Sequence, residues 1–320
     1  MSTPAPSDDG PSVLVAVTTF RRVELLPPLV AAIRANAGDA GGRMRIALVD
    51  NDPLQSAAAS AVALDVDYVS EPTPGIAAAR QAALDAARGD ELVAMVDDDV
   101  MPQSGWLDAL IRVWVAEHPA VVMGYVEYVW PEGTDPWIIA GGFMRRRRRV
   151  TGQHLEALAT GNVLVDATQV KRLGVRFDTS LGLAGGEDML FGRAILHSGA
   201  KIIASADSVV RDDVPLARTT RAFVRRRTIS QGQMRTRLLT RSGSSARRLV
   251  LRAVHLFGGL VRWVVFSVRG LVARLRRDQA AQAVLQRRTW FAQGRILGAV
   301  GRITPEYART TTAATSATAS

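Results

Sequence analysis

Apolar residues come in short unbroken runs through the first hundred positions, and each run stops at a polar or acidic cluster. Val13-Leu14-Val15-Ala16-Val17, Ile46-Ala47-Leu48-Val49, a shorter stretch at 66–69 and Leu92-Val93-Ala94-Met95-Val96 lack the alternation of a half-exposed strand and read as buried parallel strands. Between them the pattern is helical. One segment runs from Val23 to about Asn36, with Pro27-Pro28 in its first turn, where a missing N–H costs little. An alanine-rich segment runs from Ile76 to about Arg88 and is stopped by Gly89. This alternation predicts an α/β fold with an open, mostly parallel sheet, helices on both faces and right-handed crossovers. Past Asp99 the regularity loosens. A helix is expected over Trp106–Glu117, a long strand over Val121–Trp130 and a loop over Pro131–Arg149. A strand over Asn162–Val165, a helix over Met189–His197 and a strand over Ile202–Val210 follow, and from Ala217 to about Val300 the pattern is helical.

Charge divides the chain in two. The net charge is +10, yet residues 216–320 hold 21 arginines and no lysine against Asp278 and Glu306, a net of +19, so residues 1–215 carry −9. An acidic body with a basic tail points to a polyanionic surface as the tail's partner, either nucleic acid or anionic lipid. Within the tail, Arg248, Arg252, His255, Arg262, Arg269 and Arg276 recur at helical spacing, with Phe257, Trp263 and Phe266 among the apolar residues between them. The longest stretch there without Arg or Lys, Ala253–Val261, is far shorter than the ~18 residues of a membrane-crossing helix. The pattern fits a helix lying in a membrane interface, with a soluble helical subdomain docked on the body as the alternative. A nucleic-acid-binding role is disfavoured because the body that should carry a basic groove is acidic. No cysteine is present, which excludes disulfides and thiolate metal sites, and the N-terminus lacks the basic and apolar regions of a signal peptide.

Two of the early strands end in acids, Asp50-Asn51-Asp52 and Asp97-Asp98-Asp99. In open α/β folds ligands bind at the carboxyl edge of the sheet. Carboxylates there suit Mg²⁺ or Mn²⁺, whose coordination is completed by water and substrate phosphates; a solvated turn is the other reading of an acidic triplet. Further along, Glu187-Asp188 opens a helix, where acids also simply complement the helix dipole.

In this order the motifs resemble family-2 glycosyltransferases of the GT-A fold, over roughly Val13 to Gly232. The matching pieces are Val17-Thr18-Thr19-Phe20-Arg21-Arg22, Val49-Asp50-Asn51, Gly75 followed by a helix with Arg80-Gln81, Ala87-Arg88-Gly89-Asp90, Asp97-Asp98-Asp99 and Glu187-Asp188. Gln81 stands where the family pattern has Asn. The resemblance implies a nucleotide-diphosphate sugar donor contacted by Thr18, Asp50, Arg80, Asp97 and Asp98. It implies Mg²⁺ or Mn²⁺ held by Asp99 and Asp97. It also implies an inverting displacement with Asp188, next to Glu187, as the base for the acceptor hydroxyl. The acceptor is expected to be a lipid-linked glycan or a small molecule. Residues 245–300 are expected to meet an anionic membrane surface on the cytosolic side, with no nucleic acid partner. A non-catalytic sugar-nucleotide-binding module is the alternative.

The implied organisation is a disordered 1–11, a catalytic domain over 12–240 with its nucleotide-binding half up to about 100 and acceptor half over 101–240, a basic amphipathic helical arm over 241–305, and a disordered tail over 306–320. Asp212 or Asp213 is a candidate further ligand, and Arg225 or Arg226 a candidate diphosphate contact. The run Arg145–Arg149 reads as a solvated loop or a contact for an anionic acceptor, and Trp130 and Trp137 as packed or sugar-stacking residues.

Overall fold

The computed structural model describes residues 10–89, 91–241 and 243–302; the expectations for 1–9, Asp90 and 303–320 lie outside them. Eight strands form one sheet: β1 (Val13–Thr19), β2 (Met44–Asp50), β3 (Asp67–Ser70), β4 (Leu92–Asp97), β5 (Met101–Pro102), β6 (Val121–Val129), β7 (Asn162–Asp166) and β8 (Ile202–Asp213). Their spatial order is β3-β2-β1-β4-β7-β6-β8-β5. The β1–β2, β2–β3, β1–β4 and β6–β8 pairs are parallel, and β7 is inserted antiparallel between β4 and β6. β1, β2, β4, β6 and β8 therefore all end on one edge.

Alternate residues of β1 supply two cores. Val13, Val15 and Val17 face α1 (Leu26–Asn36), α2 (Ala58–Ala63) and α4 (Trp106–Glu117), with Trp106 and Leu110 fully buried. Leu14 and Ala16 face α3 (Ile76–Asp85), α6 (Ala167–Arg172) and α7 (Glu187–His197), where Phe177 stacks on Phe191 at 4.0 Å. Burying each large side chain contributes roughly 1.5–3 kcal/mol, which fixes the register of a strand sealed on both sides.

At the N-terminal edge Arg45 ties three strands. It grips both Glu91 carboxylate oxygens at 2.7 Å and reaches Asp67 at 2.7 Å. Glu91 also accepts the Arg88 N–H at 2.6 Å, which fixes the loop after α3, so α3 ends at Asp85 rather than near Arg88.

Beyond its first three residues β6 leaves β7 and continues with β8 alone, across an irregularity between Met123 and Tyr125. The buried Asn162 amide sits in the fork, donating to the Tyr125 carbonyl at 3.2 Å and the Ser208 carbonyl at 3.1 Å. Gly124 lies against it, and a Cβ there would overlap that amide.

The segment 131–149 is not wholly loop. It contains α5 (Pro136–Ala140), capped by Asp135 accepting from the Trp137 N–H. Trp137 packs with Phe143 and Trp290. Three helices complete the chain: α8 (Arg221–Leu239), α9 (Ser245–Leu275) and α10 (Gln279–Ala299). α8 and α10 approach closely through glycine, the Cα of Gly232 lying 2.9 Å from where a Gly294 Cβ would stand.

α9 is amphipathic. His255, Gly259 and Ala273 are its buried residues, and Arg295 of α10 meets His255 at 2.9 Å. The opposite face leaves thirteen large apolar side chains exposed, among them Phe257 at 64%, Val261 and Trp263. By length and composition alone α9 also suffices to cross a membrane, the one such helix among the described residues.

Candidate active site

The parallel strands deliver their carboxyl ends side by side: Thr18 pairs with Asp97, and Thr19 with Asp50. Three consecutive aspartates at a strand end cannot all face the same way. Asp98 turns inward, its side chain 7% exposed, and accepts from the Thr19 hydroxyl at 2.9 Å and from Arg22 at 2.8 Å. Burial pushes its carboxyl up to about 6 against the pull of Arg22. Asp97 and Asp99 are more open, at 33% and 24%. Asp99 accepts from Arg22 at 3.1 Å and from Arg218 at 3.3 Å.

Arg80 joins the two acidic motifs. From the first turns of α3 its guanidinium reaches Asp97 at 3.1 Å and pairs with Glu187. Arg80 and Glu187 are both buried, so burial raises the Glu187 pKa, opposed by Arg80 and reinforced by Asp188. Asp188, half-buried beside it, accepts the Met189 N–H at 2.7 Å through Oδ1, while Oδ2 accepts no hydrogen bond among the described residues.

The loop before α7 is held from two sides. Gly75, at φ 126°, allows α3 to start against the Gly182 backbone, where any side chain would collide. Gly186 receives Met234 and Leu238 of α8, which pack with Leu181.

Three strands along from β4, on β8, Asp212 faces the same cleft and Asp213 does not; Asp213 is exposed and pairs with Arg211. Burial and then Asp99 push the Asp212 carboxyl up to about 6, opposed by Arg218 and Arg146. Its Oδ1 is buried without a hydrogen-bond partner. Arg146 lies over the Tyr128 ring at 5.9 Å, and Arg148 over Tyr125 at 5.4 Å, so the arginine run is tied to β6 rather than free.

Of the residues singled out in the sequence, Asp97, Asp99, Arg80, Glu187 and Asp188 converge on this cleft. Thr18 is buried in β1, and the hydroxyl that reaches the aspartates is that of Thr19. Asp50 is fully buried; its carboxylate accepts the Asp52 and Ala57 N–H groups and the Tyr68 hydroxyl, and so shapes the loop after β2. Arg225 and Arg226 are exposed on α8, and Arg218, in the turn before it, is the arginine that enters the cleft. Arg22 closes the first matching motif and Arg146 belongs to the arginine run, whereas Arg218 carries no motif signal of its own.

No three His, Cys, Asp or Glu side chains among the described residues close into a ready metal cage. The donors that face the cleft are nevertheless all hard oxygens, and the orphaned Asp212 Oδ1 beside Asp99 fits a cation of the Mg²⁺ or Mn²⁺ type, which keeps waters and takes phosphate oxygens for the rest.

A mostly parallel sheet with helices on both faces, opening at its carboxyl edge on an Asp-Asp-Asp cluster joined by arginine to a Glu-Asp pair, defines a glycosyltransferase of the GT-A type. The sequence profile of "Glycosyl transferase family 2" matches residues 14–173, and the chain belongs to that family. It is 30% identical over 240 residues to "Succinoglycan biosynthesis protein ExoM" of Rhizobium meliloti (strain 1021), covering 73% of this chain and 77% of that one. Among solved structures it resembles GalNAc-T7 with UDP, GalNAc and Mn²⁺ (TM-score 0.53, 15% identity, 73% of this chain and 51% of that one). It also resembles S. aureus TarS (TM-score 0.51, 16% identity, 75% and 42%). The chain thus spans about half or less of those two structures, and the likeness to them is one of fold.

Proposed function

We propose that this glycosyltransferase is inverting and metal-dependent, and that it moves a sugar from a nucleotide-diphosphate donor to a hydroxyl of a lipid-linked glycan or small-molecule acceptor. The observation that carries the reading is the Arg80 bridge, which brings Asp97 and the Glu187-Asp188 pair into one cleft although they are far apart in the chain. Asp188, with one carboxylate oxygen free, takes the proton from the acceptor hydroxyl. The hydroxyl oxygen bonds to the anomeric carbon on the face opposite the diphosphate, and the bond from that carbon to the diphosphate oxygen breaks. A single displacement of this kind inverts the anomeric centre. Asp97, Asp99 and Asp212 would hold the cation, whose chemistry is to neutralise diphosphate charge as it develops. Arg22 and Arg218 add fixed positive charge at the same edge. Arg80 holds Glu187, and so positions the start of α7 for Asp188.

The same reading places the protein on the cytosolic face of a membrane. The outward apolar face of α9 supports an apolar environment, and the packing of its buried face on the arginine-bearing α10 favours lying in the interface over crossing it. The relative named for succinoglycan biosynthesis agrees with a glycan acceptor.

A thermal-shift panel of nucleotide sugars with Mn²⁺, on wild type and Asp99→Ala, tests the donor and metal together. One nucleotide class should stabilise the wild type by about 2.7 kcal/mol at a hundredfold excess over Kd, and the variant far less. If no nucleotide sugar shifts the wild type, or the variant responds equally, the assignment fails. Membrane attachment is tested by sedimentation with phosphatidylglycerol vesicles: the pair Phe257→Ser and Trp263→Ser should abolish it.

A further inference from the structure

A second arginine-lined cavity lies away from the aspartates. It has a volume of about 630 Å³ and opens between the end of α8, the first two turns of α9 and the end of α10. Arg237 and Arg241 come from α8, and Arg248 and Arg252 from α9, with Ser245 and Leu249 between them. No acid lines it. Arg241 is anchored by Asp178 at 2.8 Å and by the Ser180 hydroxyl at 2.7 Å. Arg248 donates only to the Ser245 hydroxyl at 3.1 Å, and neither Arg237 nor Arg252 has an ion pair among the described residues. Four arginines line one hollow, three of them without an ion pair among the described residues, so their charges repel one another unless an anion sits among them, and the α9 N-terminus, capped at Ser244, adds the positive end of a 31-residue helix.

Two further features define the anion. The outward apolar face of α9 begins at the cavity, with Leu249 and Val250 70% and 61% exposed, so a chain leaving the cavity meets hydrocarbon-compatible surface at once. On the other side, Arg237 and Arg241 follow Met234 and Leu238 by about one turn, and those two side chains pack on Gly186, next to Glu187 and Asp188. Asp178, which anchors Arg241, caps the turn leading into the same loop. The cavity is therefore close to the acceptor-activating loop and continuous with the membrane-directed face.

We propose that this cavity binds the phosphate or diphosphate group of an amphiphile, and that its occupant is the head group of the lipid-linked acceptor, held so that the sugar beyond it extends toward Asp188. The inference rests on the lipid-linked form of the acceptor proposed above. Two sources share the chemistry, the acceptor's own diphosphate and the phosphate of a bulk anionic phospholipid.

The test uses the full-length protein, with farnesyl diphosphate below its micelle concentration as probe and inorganic pyrophosphate as the tail-less control, both by calorimetry. Wild type should bind farnesyl diphosphate at least tenfold tighter than pyrophosphate. Arg248→Gln with Arg252→Gln should weaken farnesyl diphosphate at least tenfold. The corresponding lysine pair should recover part of the loss, and the metal-dependent nucleotide shift should stay intact as evidence of a folded cleft. Equal affinity of wild type and glutamine variant for farnesyl diphosphate overturns the proposal. So does a variant that loses binding to phosphatidylglycerol vesicles but not to farnesyl diphosphate, because the site then serves bulk lipid. A wild type that binds farnesyl diphosphate through these arginines yet never sediments with vesicles keeps the site and removes the membrane reading.

Discussion

Replacing Arg80 with Met removes the link between the two acidic motifs while keeping a side chain of similar reach. Arg80 and Glu187 are each 8% exposed, whereas Asp97, at 33%, stays hydrated and loses little. Breaking a buried pair by deleting one partner costs about 3–5 kcal/mol, because the other charge is left in low dielectric. Glu187 can escape part of that cost by taking up a proton: burial already raises its pKa, and Arg80 is the main influence opposing the rise. The folded variant then holds a proton that the unfolded chain releases above about pH 4.3. Stability of the variant must therefore fall as pH rises from that unfolded value through the raised folded one. Urea denaturation followed by tryptophan fluorescence should show a loss of about 3 kcal/mol at pH 7.5 and a smaller loss at pH 5. Adding Glu187→Gln removes the stranded charge, so the double variant should be more stable than Arg80→Met alone, with a coupling near 2 kcal/mol, within the range for contacting pairs. A loss below about 0.5 kcal/mol, inside the range of ordinary surface changes, or a Glu187→Gln effect that is the same in both backgrounds, would refute the buried-bridge argument.

Three other outcomes follow from the geometry. Asp188→Asn should leave donor affinity nearly unchanged and lower turnover at least ~10²-fold, the scale for a general base; single-turnover kinetics read it directly. The Glu91 carboxyl is held below its usual range, first by Arg45, so its stabilising contribution is present above the unfolded pKa and lost as pH falls through the folded one. The stability gap between wild type and Glu91→Gln should accordingly narrow from pH 6 toward pH 3 in urea melts. Gly294→Val should wedge α10 off α8, since its Cβ would run into the Ile229 backbone and stand 2.9 Å from the Gly232 Cα; a loss of about 1–3 kcal/mol is expected from such overpacking, and unchanged melting would show that the helices part easily.

The first four strands were legible because strands sealed on both faces need continuous β-branched and apolar residues, and the sequence has few ways to hide that. Trp106–Glu117 was legible from its apolar period. α2 was not, because six residues of mostly alanine carry no periodic signal, and α5 was obscured by the Trp- and Gly-rich stretch around it, although Asp135-Pro136 is a capping pair that marks its start. In the site, the acids announced themselves by their place at strand ends. Arg80 was marked by its motif, but Arg218 was not: it lies 119 residues from Asp99, and only the sheet order brings them together. Reading the Arg225–Arg226 register by motif failed because α8 starts at Arg221, which leaves Arg218 in the turn that borders the cleft. Two-faced character was readable in α9, but which face packs was decided by Gly259 fitting against Ala292 and Ile296 of α10.

Gly124 carries no reactive atom, yet the fork between β6, β7 and β8 closes around it. A side chain there would push Asn162 from its seat, and Asn162 is joined by Gly161 to the backbone beside Asp97 and Arg146. A random-mutagenesis screen for inactive but expressed protein should therefore return Gly124 alongside the aspartates. Second-site suppressors should appear at 162 and 208, where a smaller residue would give back the lost space, and a strain carrying such a pair would show that this position governs activity through volume alone.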